Sequence, residues 1–182
     1  LFGEIPGVAS YSTISNTFAA NTWQSIYRRG IVTNVSAPEF NTNAGEPPLA
    51  VSDGTLMYAP TSSQLFSYNP VTDIWNIVSN TGFSNFLGNK AVWTGTEIIF
   101  WEGQSATGRK YNPTTNVWTV MSVTNAPSLR YNHTMIWDGS RVILWGGESG
   151  GIVVNTGAIY NPATNTWVAM NTASAPVART LH

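Results

Sequence analysis

One phrase ending in tryptophan returns along this chain at an interval that few folds can produce. Residues 68–75 read YNPVTDIW, 111–118 read YNPTTNVW and 160–167 read YNPATNTW, with Tyr and Trp seven positions apart in each. A fainter copy, NTFAANTW at 16–23, keeps the tryptophan and lacks the Tyr and Pro. Trp23, Trp75, Trp118 and Trp167 therefore succeed one another at spacings of 52, 43 and 49 residues. Self-similarity at about 40–50 residues is the mark of a unit made of four short strands joined by loops of variable length, repeated side by side.

A second phrase precedes the Tyr. WTGTEIIFWEG at 93–103 aligns with WDGSRVILWGG at 137–147, and VSDGTLMYAP at 51–60 holds the same place in an earlier copy. Segments 134–137 and 141–145 are β-branched and aromatic, so each is predicted as a strand. Asp138-Gly139 between them makes a tight hairpin turn, because Gly takes a positive φ without penalty. Segments 98–101 and 142–145 are apolar without alternation, which predicts a second strand covered on both faces. Gly146-Gly147 ends that strand where the chain bends away and another backbone comes close. A longer loop leads to a third strand ending at Tyr160. Asn161-Pro162 interrupts it, since Pro lacks the ladder N–H, and a short Thr/Asn turn returns the chain into a fourth strand carrying Trp167. Tyr160 and Trp167 should thus face each other on adjacent antiparallel strands, as should Tyr68 with Trp75 and Tyr111 with Trp118.

A diglycine after an aliphatic strand, then Tyr, then Trp at a fixed interval, resembles the kelch repeat family, and residues 125–170 are similar to bacterial kelch repeats in particular. The resemblance spans about 16–182 and is most specific over 90–182. Earlier copies depart from it, with Glu102-Gly103 and Ala59-Pro60 standing where the diglycine belongs. It implies an all-β, kelch-type β-propeller with the architecture of the galactose-oxidase central domain. Residues 1–182 would form a single segment with blades at about 47–80, 90–121 and 133–170 and partial blades at 11–24 and 177–182. APVARTLH at 175–182 matches APSLRYNH at 126–133, so 177–182 is expected to be the innermost strand of a further blade, completed from this chain or another. Three to four blades fall short of a closed ring, and an open end would expose an apolar face and unpaired strand edges.

Composition narrows the chemistry. Eight basic residues against nine acidic ones, a net charge of −1, give no electrostatic footprint for a nucleic-acid backbone. The absence of cysteine removes disulfides, thiolate nucleophiles and Cys-based zinc sites, and two histidines leave few metal ligands. No apolar run is long enough for a membrane span, so no direct membrane insertion is expected. A charged fraction of only 9%, with abundant Asn and Thr, points to a bacterial protein that is secreted or held at the cell surface. No phosphate-binding loop, His-Glu-x-x-His or Gly-x-Ser-x-Gly motif occurs, and no catalytic residue, metal or cofactor is assigned.

All eight tryptophans fall at repeat positions, which favours packing between blades over carbohydrate stacking. Arg28-Arg29 and Arg109-Lys110 are basic pairs expected at the solvated surface. The candidates for a site are Arg130 and His133, echoed by Arg179 and His182, in the connection from a fourth strand to the next first strand. That connection and the strand-two-to-three loop with Glu148 should share one rim, opposite Asp138-Gly139 and Asn161-Pro162. Their recurrence has two readings: an Arg/Glu/His cluster for an anionic ligand or acid–base work, or structural bonding between blades. The functional expectation is a non-catalytic scaffold that uses one rim to bind a protein or glycan partner, or further copies of itself. The alternative comes from the resemblance, since kelch-like propellers include a copper oxidase and a sialic acid mutarotase. The first needs a Tyr–Cys crosslink that a chain without Cys cannot make, which leaves a mutarotase-like carbohydrate-active enzyme using the rim cluster.

Overall fold

A computed structural model of the chain describes residues 49–61, 64–80, 90–103 and 105–181. Among these residues there is no helix, and every regular element is a strand. Sheet I is built from β1 (Val51–Ser52), β2 (Met57–Pro60), β3 (Gln64–Asn69) and β4 (Ile74–Asn80). Sheet II holds β5 (Lys90–Trp93), β6 (Ile98–Glu102), β7 (Thr107–Asn112) and β8 (Val117–Val120). Sheet III holds β9 (Thr134–Trp137), β10 (Val142–Trp145), β13 (Gly157–Asn161) and β14 (Thr166–Ala169). A separate hairpin, β11 (Glu148–Ser149) with β12 (Ile152–Val153), is inserted between β10 and β13. Each four-stranded sheet is an antiparallel meander in which strands pair in the order they occur. The expected partial blade at 11–24 lies outside the described residues. Residues 177–181 belong to no strand, and the strand expected there was one completed by residues beyond those described. The matching segment 128–133 is likewise the connection that precedes a first strand, and β9 begins at Thr134.

The repeated Tyr–Trp phrase is a hairpin in all three sheets. Tyr68 pairs with Trp75, Tyr111 with Trp118 and Tyr160 with Trp167, their ring centroids 4.9, 4.7 and 4.9 Å apart. The turn between them is held by its own polar side chains. Oδ1 of Asn69, Asn112 and Asn161 accepts the N–H groups two and three residues on. Asp73, Asn116 and Asn165 take φ of 58°, 56° and 55°, a region these residue types tolerate. Each then accepts the hydroxyl of the Tyr five residues earlier, at 2.8, 3.0 and 2.8 Å. This Asn/Asp position, two before the Trp, is a repeated functional part of the turn that the motif reading passed over.

The turns between first and second strands repeat as well, with Gly54, Gly95 and Gly139 at φ of 94°, 98° and 97°. In the third, Oδ1 of Asp138 accepts the N–H groups of Ser140 and Arg141 at 2.8 and 2.7 Å, and Arg141 Nη2 reaches Oδ2 at 3.1 Å. Backbone N–H donation from Ser140 and then Arg141 lowers the Asp138 carboxyl to about 2. A carboxyl depressed on folding stabilises the turn above its unfolded value, and that contribution is lost as pH falls through the folded one. The Asp138 carboxyl followed by NMR should therefore titrate near pH 2, and Asp138→Asn should flatten the part of the acid-unfolding curve between about pH 4 and pH 2. A midpoint at the ordinary aspartate value would show the turn bonds to be absent.

Packing follows from the alternation of strand side chains. On β6, Ile98 and Phe100 point to a core shared with Tyr58 and Leu65 of sheet I, while Ile99 and Trp101 point to a core shared with Val142, Leu144, Tyr160 and Trp167 of sheet III. All of β6 is buried, as expected of a strand covered on both faces. β10 is not. Val142 and Leu144 are buried against sheet II, but Ile143 and Trp145, on its other face, are only half-buried. The apolar run that predicted two covered faces recorded the side chains without recording whether a neighbour lies on them. First strands lie beside one another, β5 against both β1 and β9.

Candidate functional site

The rim at which β10 ends and β13 begins gathers the residues singled out from the sequence. β9 and β10 pair from Thr134–Trp145 at this end to Trp137–Val142 at the other. The Asp138-Gly139 turn and the Asn161-Pro162 turn therefore lie at the far end from Arg130 and Glu148, as the strand count required. Residues 126–133 cross the rim between sheets II and III. The Arg130 N–H donates to Gly103 O of sheet II at 2.8 Å. Tyr131 and Glu148 exchange both backbone bonds at 2.9 Å, which ties the β11–β12 hairpin to the crossing segment. Gly147 sits under the crossing with φ of 88°, and a Cβ there would run into Tyr131 O and the His133 side chain. The close backbone approach expected at the diglycine is this one.

Arg130 is 2% exposed, and among the described residues its guanidinium meets no carboxylate. Nε donates to Ser128 O at 3.1 Å, Nη1 to Gly146 O at 3.0 Å and Thr156 O at 2.9 Å, and Nη2 to Ser128 Oγ at 3.2 Å and Thr156 Oγ1 at 3.3 Å. A guanidinium has five N–H donors, and all five are used by the protein itself. Burial lowers the Arg130 pKa from its ordinary value, and a guanidinium keeps its proton in proteins. The residue staples the end of β10 to the start of β13, and no donor remains for an anion.

The other candidates scatter. His133 is buried beneath Gly147. Glu148 is half-buried and, among the described residues, pairs with neither Arg130 nor Arg179. Arg179 is exposed, its guanidinium 5.7 Å from the Trp145 ring centroid. His182 lies outside the described residues. The Arg/Glu/His set is thus not one open cluster. Among the described residues no group of three or more His, Asp or Glu side chains is placed to hold a metal, and no helix is long and apolar enough to cross a membrane. Phenolate chemistry is also remote. Burial raises the Tyr58 and Tyr111 hydroxyls, and burial together with Glu97 pushes Tyr160 up to about 12.

Arg109 and Lys110 correct the expectation of a solvated basic pair. Lys110 Nζ is 3.1 Å from Glu97 and donates to Pro162 O of sheet III at 3.1 Å, its side chain only 11% exposed. Arg109 Nε lies 3.5 Å from Glu102. Residues of opposite charge came together across β6 and β7, a pairing set by strand register that the linear sequence conceals. Arg28-Arg29 lies outside the described residues.

The rim presents the β11–β12 hairpin to solvent, beside exposed Leu129 of the crossing segment. The connection between second and third strands runs over 61–63 in sheet I and 103–106 in sheet II, but over 146–156 in sheet III. Its tip exposes Ile152 (68%) and Val153 (39%). Compared with known proteins, the chain matches no family model and no curated sequence.

Proposed function

We propose that the chain is a segment of a kelch-type propeller, exported by a bacterium, that acts as a non-catalytic scaffold and binds a protein or glycan through the β11–β12 rim. The repeated meanders, the Tyr–Trp hairpins in common register and the first strands lying side by side support the propeller part of this reading. The binding part rests on one observation: the longest second-to-third-strand connection carries two apolar side chains into solvent while its base is stapled by Arg130 and Tyr131. A rigid base under an apolar tip lowers the ordering cost of binding. The mutarotase-like alternative has less support, since Arg130 spends all its donors on the protein and His133 is buried.

The test is a screen of the purified chain against a glycan array and an immobilised set of surface proteins, followed by titration of any hit. Ile152→Asp with Val153→Asp should weaken binding about tenfold or more, the loss of two buried apolar contacts. Val71→Asp, in the third-to-fourth-strand turn of sheet I at the opposite rim, should leave it unchanged. Binding that ignores the hairpin, or acceleration of sialic acid anomer exchange by the wild-type chain, would overturn the reading.

A further inference from the structure

We infer that the far face of sheet III is a docking surface for one more four-stranded sheet of this same repeat, with Arg179 as the residue that locks onto its rim. The inference deepens the propeller reading above and rests on it. The far face carries Ile136, Ile143, Trp145, Ile159, Val168 and Met170, with Ile143 paired to both Ile136 and Ile159, and Ile159 to Val168. None of these side chains is fully buried, and Ile136 and Val168 are exposed.

An apolar face alone would not say what covers it; the repeat does. Sheet II receives sheet III through Ile99, Trp101, Met121 and Arg130, all of them buried. One repeat later the aligned residues are Ile143, Trp145, Met170 and Arg179. The later set already has the shape of the earlier one. In sheet II Gly108, the second residue of the third strand, is closed over by Met121 Sδ and the Trp101 ring; in sheet III Gly157, the first residue of the third strand, is closed over by Met170 Sδ and the Trp145 ring. Met121 N–H donates to Gly108 O at 2.9 Å, and Met170 N–H to Gly157 O at 3.0 Å. Arg130 Nε donates to the carbonyl two residues before it at 3.1 Å, and Arg179 Nε does the same to Val177 O at 3.3 Å.

The two arginines differ in the remaining donors. Those of Arg130 reach Gly146 O and Thr156 O, on the rim of the sheet that follows, and the Ser128 and Thr156 hydroxyls. The Arg179 guanidinium makes no second hydrogen bond among the described residues and lies over Trp145 instead. The chemistry of the occupant follows from what sheet III offers sheet II. It presents two aliphatic side chains on its second strand, as Val142 and Leu144 do, and two rim carbonyls at the places of Gly146 and Thr156. It also supplies a turn Asn and a Trp that grip the incoming edge. Ser122 N–H donates to Asn165 Oδ1 at 2.8 Å and Trp167 Nε1 donates to Ser122 O at 2.9 Å, and Asn171 is the counterpart of Ser122. A flat apolar partner without the carbonyls would desolvate the Arg179 guanidinium with nothing to accept its bonds.

The experiment extends the full chain. A second copy of residues 134–174 appended after His182 places Arg179 before the added sheet as Arg130 stands before sheet III. The extended chain should unfold in one transition at higher temperature than the 182-residue chain, with the Asn171 amide newly protected from hydrogen exchange. Arg179→Ala should lower the melting temperature of the extended chain by several degrees and leave that of the 182-residue chain unchanged. An added sheet that stays unprotected would defeat the repeat reading together with this inference. An added sheet that folds with equal stability in the Arg179→Ala variant would overturn the inference alone. So would self-association of the 182-residue chain that shields Asn171 and persists in Arg179→Ala, which would give the face to a second copy by another contact.

Discussion

Trp101→Ala is expected to destabilise the chain by about 3–5 kcal/mol, the range for emptying a fully buried aromatic site. At this chain length such a loss lowers the melting temperature by roughly 10 °C. The indole has no exposed surface, packs edge-on to Trp167 at 4.8 Å between centroids and covers Gly108 with Met121. It belongs to the core between sheets II and III, so its removal opens a cavity between two sheets that neither can close without moving the other. Trp101→Phe supplies the internal control. Phenylalanine keeps a ring in the site and removes the Nε1–H, which is buried without an acceptor. An unpaired buried donor costs about 1–3 kcal/mol, so the phenylalanine variant should lose less than half of what alanine loses. Calorimetric unfolding of the two variants checks the order; equal losses would show that ring packing is not what Trp101 contributes.

The same core shows what could be read from the residues. Tyr and Trp seven apart with Asn-Pro between them can hardly be anything but a hairpin, and each of the three phrases closes in the same register. Burial was less legible because a side chain states only its preference for a neighbour. Ile98–Trp101 and Val142–Trp145 are near-identical strings, yet the first lies between two sheets and the second has one face half-covered. The candidate site was harder still. The recurrence of Arg130 left an anion-binding cluster and structural bonding as two readings and could not name its partners, because the groups that claim it are the main-chain oxygens of Gly146 and Thr156, and a carbonyl has no letter in a sequence. The one legible hint was the diglycine, whose missing side chains mark where the crossing backbone comes close. The β11–β12 hairpin was visible only as a longer loop, since its strands are two residues each, too short to carry a periodicity.

Arg130→Ala is expected to cost about 3 kcal/mol, though no acidic partner among the described residues is lost. Its Nη1 serves two carbonyls at once, Gly146 O in a buried setting and Thr156 O beside it, and hydrogen bonds from a charged donor contribute about 1.5–3 kcal/mol each. With alanine both oxygens keep their burial and lose their donor, while water gains an entry only by parting the crossing segment from the rim. The consequence should be local before it is global: the exchange bonds between Tyr131 and Glu148 and the bond from Gly147 N–H to Arg179 O lie alongside, so the amides of Gly147 and Glu148 should lose protection ahead of β10 and β13. Two further variants separate charge from shape. Arg130→Met fills the channel without a donor and should fall close to alanine. Arg130→Lys keeps the charge, but an ammonium on a flexible stem cannot span Ser128, Gly146 and Thr156 as a planar fork does, so it should recover less than half of the loss. Full recovery by lysine would mean that charge alone is what the rim requires. If methionine restored wild-type stability, the residue would be a packing element and the carbonyl staple would be disproved. With the order Arg, then Lys, then Met and Ala, the planar guanidinium is the part that fixes the hairpin base, and the binding proposed for the hairpin should weaken in step with the lost protection.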